Sequence, residues 1–213
     1  MRPERLVVVP GTGTEVGKTW VGAALLAAAR GRGWSVAARK PVQSFDPALG
    51  DPTDADVLGA ASGEPPETVC VPSRWYPHAV APPMAAELLG HPPLRLGDLV
   101  DELVWPESAV RLGLVEGAGG LRSPLAVDGD SRDLVALLAP DHVLLVADAG
   151  LGTLHAVRAA LDATEGTDVP VTVVLNRFDA QDEVHRWNRD WLLRQDGTDA
   201  AVSVDELLDR WSV

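Results

Sequence analysis

The chain of 213 residues contains a single cysteine, Cys70. One thiol excludes an internal disulfide and leaves too few thiolates for a zinc site, so Cys70 reads as a small buried apolar residue. Cations are scarce as well: 18 Lys plus Arg stand against 31 Asp plus Glu, for a net charge of −13. A chain of that balance lacks the clustered positive charge that phosphate backbones demand, which argues against DNA or RNA as a partner. No apolar run approaches the length of a membrane span, and Met1-Arg2-Pro3-Glu4-Arg5 leads into a strand without an apolar export segment. The expectation is a cytoplasmic protein with no membrane partner. Its five histidines, His78, His91, His142, His155 and His185, show no spacing typical of transition-metal ligands, which favours an ion held by oxygens, such as magnesium. Internal repeats and low-complexity tracts are also lacking.

What the chain does have is a regular alternation of strand and helix. Leu6–Val9, Leu112–Val115, Val143–Ala147 and Val171–Leu175 are continuous in Val and Leu, as strands buried on both faces require. Ser35–Arg39 is shorter and more mixed, which suits a position at or near a sheet edge. Between them the pattern predicts helices at Thr19–Arg30, Ala55–Ala61, Pro83–Leu89, Leu96–Leu103, Ser131–Leu138, Thr153–Thr164 and Gln181–Arg194, and a short tail helix at Val204–Trp211. The implied fold is α/β: one domain with a doubly wound, mostly parallel sheet and helices on both faces. Ligands of such sheets gather beyond the carboxyl ends of the strands, so the residues following each strand carry the functional signal. Nine prolines between 41 and 83 predict mostly loop with one short helix there, a substrate-facing wall.

After the first strand comes Gly11-Thr12-Gly13-Thr14-Glu15-Val16-Gly17-Lys18-Thr19, which opens an Ala-rich helix. Backbone N–H groups of such a loop wrap a polyphosphate, a lysine supplies a point charge for the β and γ phosphates, and a Thr hydroxyl can hold Mg²⁺. The spacing departs from the usual one: Thr12 stands where a glycine is standard, and five residues separate Gly11 from Gly17. After the second strand, Lys40-Pro41-Val42-Gln43-Ser44 aims another cation at the same crevice. In Thr53-Asp54-Ala55, Thr53 could cap the helix and Asp54 could turn to a cation. Asp56, two residues on, is an alternative ligand, and the Thr-Asp-Ala context favours Asp54. The third strand runs into Glu116-Gly117-Ala118-Gly119-Gly120. A glutamate at a buried strand tip is costly unless ionic partners or a metal satisfy it. Thr19, Asp54 and Glu116 would make an all-oxygen Mg²⁺ site completed by water and phosphate. Asp148-Ala149-Gly150-Leu151-Gly152-Thr153-Leu154-His155 forms a turn and a fresh helix start suited to a small anion. After the fifth strand, Asn176-Arg177 offers an amide that could read a purine or cap the following helix.

In order and spacing, Gly11–Thr19, Lys40-Pro41-Val42, Thr53-Asp54-Ala55, Val115–Gly120, Leu151-Gly152 with His155, and Asn176 resemble the dethiobiotin synthetase family of P-loop enzymes, over about residues 5 to 180. The resemblance implies ureido-ring closure: 7,8-diaminopelargonate, CO₂ or bicarbonate and MgATP give dethiobiotin, ADP and phosphate. It implies catalytic roles for Lys40, Lys18 and Thr14, with Thr14, Glu15 and Ser44 facing the diamine and Thr19, Asp54 and Glu116 on Mg²⁺. ATP would lie against Gly13, Glu15, Val16, Gly17, Lys18, Thr19 and Trp20, with Asp54, Glu116, Gly117, Ala118 and Gly119 around its phosphates. Asn176, with Arg177 beside it, would meet the adenine. The family is a homodimer with sites at the subunit interface, so Gly152, Thr153 and Leu154 would receive the substrate carboxylate bound to the other subunit. Departures from the family pattern are Phe45 for a glycine, Leu154 for an asparagine and Arg177 for an aspartate. The late segment that closes over the base has only Ser203-Val204-Asp205-Glu206 as a counterpart.

Two other readings share the phosphate loop. An amidoligase of the cobyrinate-diamide type needs a glutamine-hydrolysing domain that 213 residues cannot accommodate. A partition-type ATPase switch carries an additional lysine early in the loop, where this chain has Pro10-Gly11-Thr12-Gly13.

Overall fold

Alternate residues of the first strand face opposite ways, and both sets are apolar: Val7 and Val9 enter one core cluster, Leu6 and Val8 another. Such a strand must be covered on both sides, which places Arg5–Gly11 in the middle of the sheet. In the computed structural model, which describes residues 1–211, the main sheet has six parallel strands among those residues. Their order is Ala200–Ala201, Val171–Asn176, His142–Asp148, Arg5–Gly11, Leu112–Gly120 and Val36–Arg39. Val36–Arg39 pairs only with Leu112–Gly120 and is an edge. The chain steps from Arg5–Gly11 to that edge, returns to fill the gap with Leu112–Gly120, then continues on the other side through His142–Asp148. This reversal opens a crevice at the carboxyl end of the central strand.

On one face, the helices Lys18–Gly31 and Asp54–Ser62 pack through Leu25, Leu26 and Leu58 onto Leu112 and Leu114. The helix Val204–Trp211 joins this face through Leu207 and Leu208. On the other face, Leu96–Asp101 and Ser131–Leu138 bring Leu99 and Leu134 against Leu6, Val8 and Val143. A third cluster holds Thr153–Asp162 and Glu183–Arg194 through Val157 and Leu192 against Leu145 and Val173.

Several expectations need correction. The third strand does not stop at Val115: it continues to Gly120, so Glu116 lies within the strand, opposite Val9. Gly117, Gly119 and Gly120 still make ladder backbone, and lack of a side chain does not by itself end a strand. The segment 41–83 holds more structure than a loop with one short helix. It contains Asp54–Ser62, Pro66–Val69, a 3₁₀ turn at Pro72–Arg74, and Gln43–Ser44 paired in parallel with Trp75–Tyr76. The tail adds Ala200–Ala201, a strand too short to show any periodicity. The helix expected from Gln181 starts at Glu183, because the Asp182 carboxylate accepts from the Val184 and His185 N–H groups and so caps it. Leu96–Asp101 ends two residues before Leu103. Cys70 is buried in the first cluster.

Candidate active site

Strand, loop and helix occur in that order at residues 5–31. Gly17 has φ +91°, left-handed backbone that glycine adopts without strain, and a Cβ there would run into the Asn176 amide. That amide donates to the Val16 carbonyl at 2.9 Å, so a residue after the fifth strand braces the loop after the first. The Lys18 ammonium curls back to the Gly13 carbonyl at 3.0 Å. Burial pushes its pKa below the usual lysine value, the nearby positive Lys40 adds to that, and the Glu116 and Asp54 carboxylates oppose it.

Lys40 is at the end of Val36–Arg39, its backbone N–H donating to the Val69 carbonyl at 2.7 Å. Its ammonium lies 2.6 Å from Asp54 Oδ2 and 2.6 Å from Glu116 Oε1, and donates to the Gly117 carbonyl at 3.1 Å. Both Lys40 and Glu116 are buried. Burial works against the charge on Lys40, yet the two carboxylates outweigh it and hold the ammonium above the ordinary lysine value. For Glu116, complete burial pushes the carboxyl up, Lys40 pulls it down, and Asp54 adds to the rise. Asp54 is opposed by burial and lowered by Lys40, with a net fall.

Thr19 Oγ1 lies 2.7 Å from Asp54 Oδ1 and 2.9 Å from Glu116 Oε1. One hydroxyl proton serves only one carboxylate at a time, and Glu116 Oε2 is buried with no hydrogen-bond partner. The carboxylates are thus short of donors and the site is rich in hard oxygens, which suits Mg²⁺ with its taste for carboxylate, hydroxyl and water. Among the described residues no group of three or more His, Cys, Asp or Glu is placed to hold a metal by itself, so the hydroxyl and added phosphate or water oxygens are needed. Asp56 is occupied elsewhere: its carboxylate accepts from Thr53 N at 2.8 Å and Thr53 Oγ1 at 2.7 Å, a capping box that starts the helix. Asp54, first residue of that helix, is left to face Lys40 and Thr19.

These groups open on one cavity of about 820 Å³. Thr14, Glu15, Gly17, Lys18, Thr19 and Trp20 form its phosphate-loop side. Lys40, Ser44, Asp54, Glu116, Ala118, Gly119 and Arg177 also line it. Gly13 and Gly117 reach the same machinery through their carbonyls. A second, mostly apolar cavity of about 460 Å³ lies next to it, walled by Trp20, Asn176, Arg177 and Phe178 and by 202–204 of the tail. Arg177 joins the two regions, since its guanidinium donates to the Glu15 carbonyl at 2.9 Å and pairs with Asp148 at 2.7 Å.

Gly152, Thr153 and Leu154 line neither cavity. They start a helix beside Leu151, which is 96% exposed, and Thr153 Oγ1 is buried with no partner. The proline-rich segment 41–83, expected as a wall of the site, supplies Gln43, Pro52, Val57 and Ala79–Pro82 to the cavity lining. Sequence reasoning missed Ser123 and Pro124, which carry no residue pattern that would single them out.

A family model described as an AAA domain matches residues 5–207. The ATP-dependent dethiobiotin synthetase BioD of Caulobacter vibrioides (strain NA1000 / CB15N) is 42% identical over 182 residues, 82% of this chain and 81% of that protein. The protein of that name from Rhodococcus jostii (strain RHA1) is 38% identical, covering 93% of this chain and 85% of its own. In fold, the chain is similar to a putative plasmid partition protein from Borrelia burgdorferi B31 bound to AMPPNP, with a TM-score of 0.57, 95% of this chain and 87% of that chain covered, and 12% identity. That last likeness is one of architecture alone. Because the synthetases share more than a third of their residues with this chain across most of both lengths, the chain belongs to the ATP-dependent dethiobiotin synthetase family.

Proposed function

We propose that this chain makes dethiobiotin from 7,8-diaminopelargonate, CO₂ and MgATP. The observation that carries this reading is the convergence of Lys18, Lys40, Thr19, Asp54 and Glu116 on a single cavity at the carboxyl end of the sheet. An amine of the substrate adds to CO₂ and loses a proton, giving a carbamate. A carbamate oxygen then attacks the γ-phosphorus of ATP, ADP leaves, and a mixed carbamic–phosphoric anhydride forms. The second amine attacks its carbonyl and loses a proton, phosphate leaves and the ring closes.

Negative charge moves between oxygens at each stage, so the protein contributes mainly electrostatic stabilisation of held reactants. Lys18 swings from the Gly13 carbonyl to the β and γ phosphates, an exchange of a weak dipole for full charges. Lys40 keeps its proton, being held above the usual value, and neutralises the carbamate and the phosphoryl group. Thr14, Glu15 and Ser44 face the diamine. Thr19, Asp54 and Glu116 would hold Mg²⁺, which when bound would supply a Lewis acid for phosphate oxygens. The base sits in the cavity of Trp20 and Asn176, whose amide donates to Val16 and has its carbonyl left to meet a base donor.

Gly152, Thr153 and Leu154 lie outside this protomer's cavity, which fits a homodimer in which their N–H groups receive the substrate carboxylate held by the other subunit. Incubation with MgATP, bicarbonate and the diamine, omitting each in turn, tests the function with mass detection of the product. Dethiobiotin is expected only with all components present. ATP turnover that is equal with and without diamine overturns it.

A further inference from the structure

Gln43 stands in the short strand Gln43–Ser44, paired with Trp75–Tyr76, and lines the large cavity while being only 1% exposed. Its Oε1 accepts from the Ala55 N–H at 3.0 Å. Ala55 follows Asp54 in the first turn of Asp54–Ser62, where backbone N–H groups have no helical acceptor. That bond fixes which way the amide points, because only its oxygen can accept from an N–H. The other end, Nε2, is therefore the free end, and it is buried without a hydrogen-bond partner. Ser44 Oγ, the next side chain along the same wall, is likewise buried and unpartnered. A buried amide that donates nothing is unfavourable, and the condition is relieved when a bound oxygen arrives.

We propose that Gln43 is a substrate-binding residue whose Nε2 donates to an oxygen of the carbamate, with its Oε1 anchoring the Asp54 segment at the same time. The assignment rests on the dethiobiotin synthetase reading for the identity of that oxygen. A neutral donor suits this role because it orients a carboxylate-type oxygen beside Lys40 without competing for the Asp54 and Glu116 charges that hold the ammonium.

Two variants separate donation from anchoring. Gln43→Glu keeps an acceptor for Ala55 N–H and removes the donor; Gln43→Met removes both. Steady-state rates are measured against diamine and bicarbonate, with binding of a non-hydrolysable ATP analogue and thermal melting in parallel. The expected result is that both variants raise the KM for diamine or bicarbonate, or lower kcat, by at least tenfold, with analogue affinity within threefold of wild type. Gln43→Glu with near-wild-type kinetics overturns the proposal, since anchoring alone would then explain the residue. Loss of analogue affinity with an unchanged diamine KM also overturns it, by assigning the oxygen to the nucleotide. A wild-type protein that makes no dethiobiotin overturns instead the functional reading on which the carbamate depends.

Discussion

Lys40–Glu116 and Arg158–Asp196 each bring nitrogen and oxygen to 2.6 Å, yet the two pairs do different things. The first is sealed at the carboxyl end of the sheet, with side chains 2% and 0% exposed; the second links a helix to the loop after its neighbour, with Arg158 half in water. In water the attraction is nearly cancelled by solvent and side-chain entropy. In the interior the desolvation of both ions is large, so such a pair is a poor way to stabilise a fold and a good way to keep charge ready for a ligand. Distance alone does not tell the pair proposed to serve a ligand from one at the surface; burial and the unpartnered Glu116 Oε2 set the first apart.

The largest test of this contrast is Lys40→Ala. It leaves Glu116 buried without its counter-ion, and a loss of about 3–5 kcal/mol in unfolding free energy is expected by denaturant titration. Diamine-dependent phosphate release should fall by about 10²–10³, with nucleotide binding still measurable by calorimetry. Next is Glu116→Gln, which keeps shape but removes the charge shared by Lys40 and the proposed Mg²⁺. The Mg²⁺ concentration for half-maximal turnover should rise about tenfold, the equivalent of about 1.4 kcal/mol.

Cys70 shows burial outweighing the pull of a nearby cation, Lys40. Its thiol is pushed up to about 12, by burial first, against an ordinary value of 9.0. At pH 8 the folded protein should not react with a disulfide reagent, and unfolding should restore the reaction at once. The sign for stability follows: the folded state keeps its proton while the unfolded state loses it, so this thiol's contribution declines as pH climbs from 9.0 towards about 12. Smallest of all is Arg158→Ala, where turnover is expected to stay at the wild-type level and the denaturant midpoint barely to move. A marked loss in either would break the contrast between buried and exposed pairs.

The parts of this molecule that are legible from residue order are those whose reason is local. Continuous Val and Leu runs of four or five residues read as strands covered on both faces, and the Gly17-Lys18-Thr19 step after such a strand reads as a loop opening a helix around phosphates. What stays hidden depends on partners far along the chain. Ala200–Ala201 is a strand only because Val171–Asn176 offers it an open edge. The strand through Glu116 runs to Gly120 because Gly11 pairs with Gly120 after an irregularity in the register.

Asp54 and Asp56 are the sharpest case. Two carboxylates two residues apart are chemically alike, and composition cannot choose between them. The capping box claims Asp56 within its own turn, while Asp54 meets a lysine and a threonine from other elements. Asn176 is similar: an amide after a strand can do many things until the fold brings Gly17 beneath it, where nothing larger would fit. Sequence by itself determined the order of the main strands and helices, the phosphate loop and the pool of charged candidates, since backbone preference and hydrophobic periodicity act over a few residues. Tertiary structure alone decided which candidates share a cavity, which charges are buried and which donors, such as Gln43 Nε2, are left without a partner, because desolvation and pairing exist only once distant segments exclude water together.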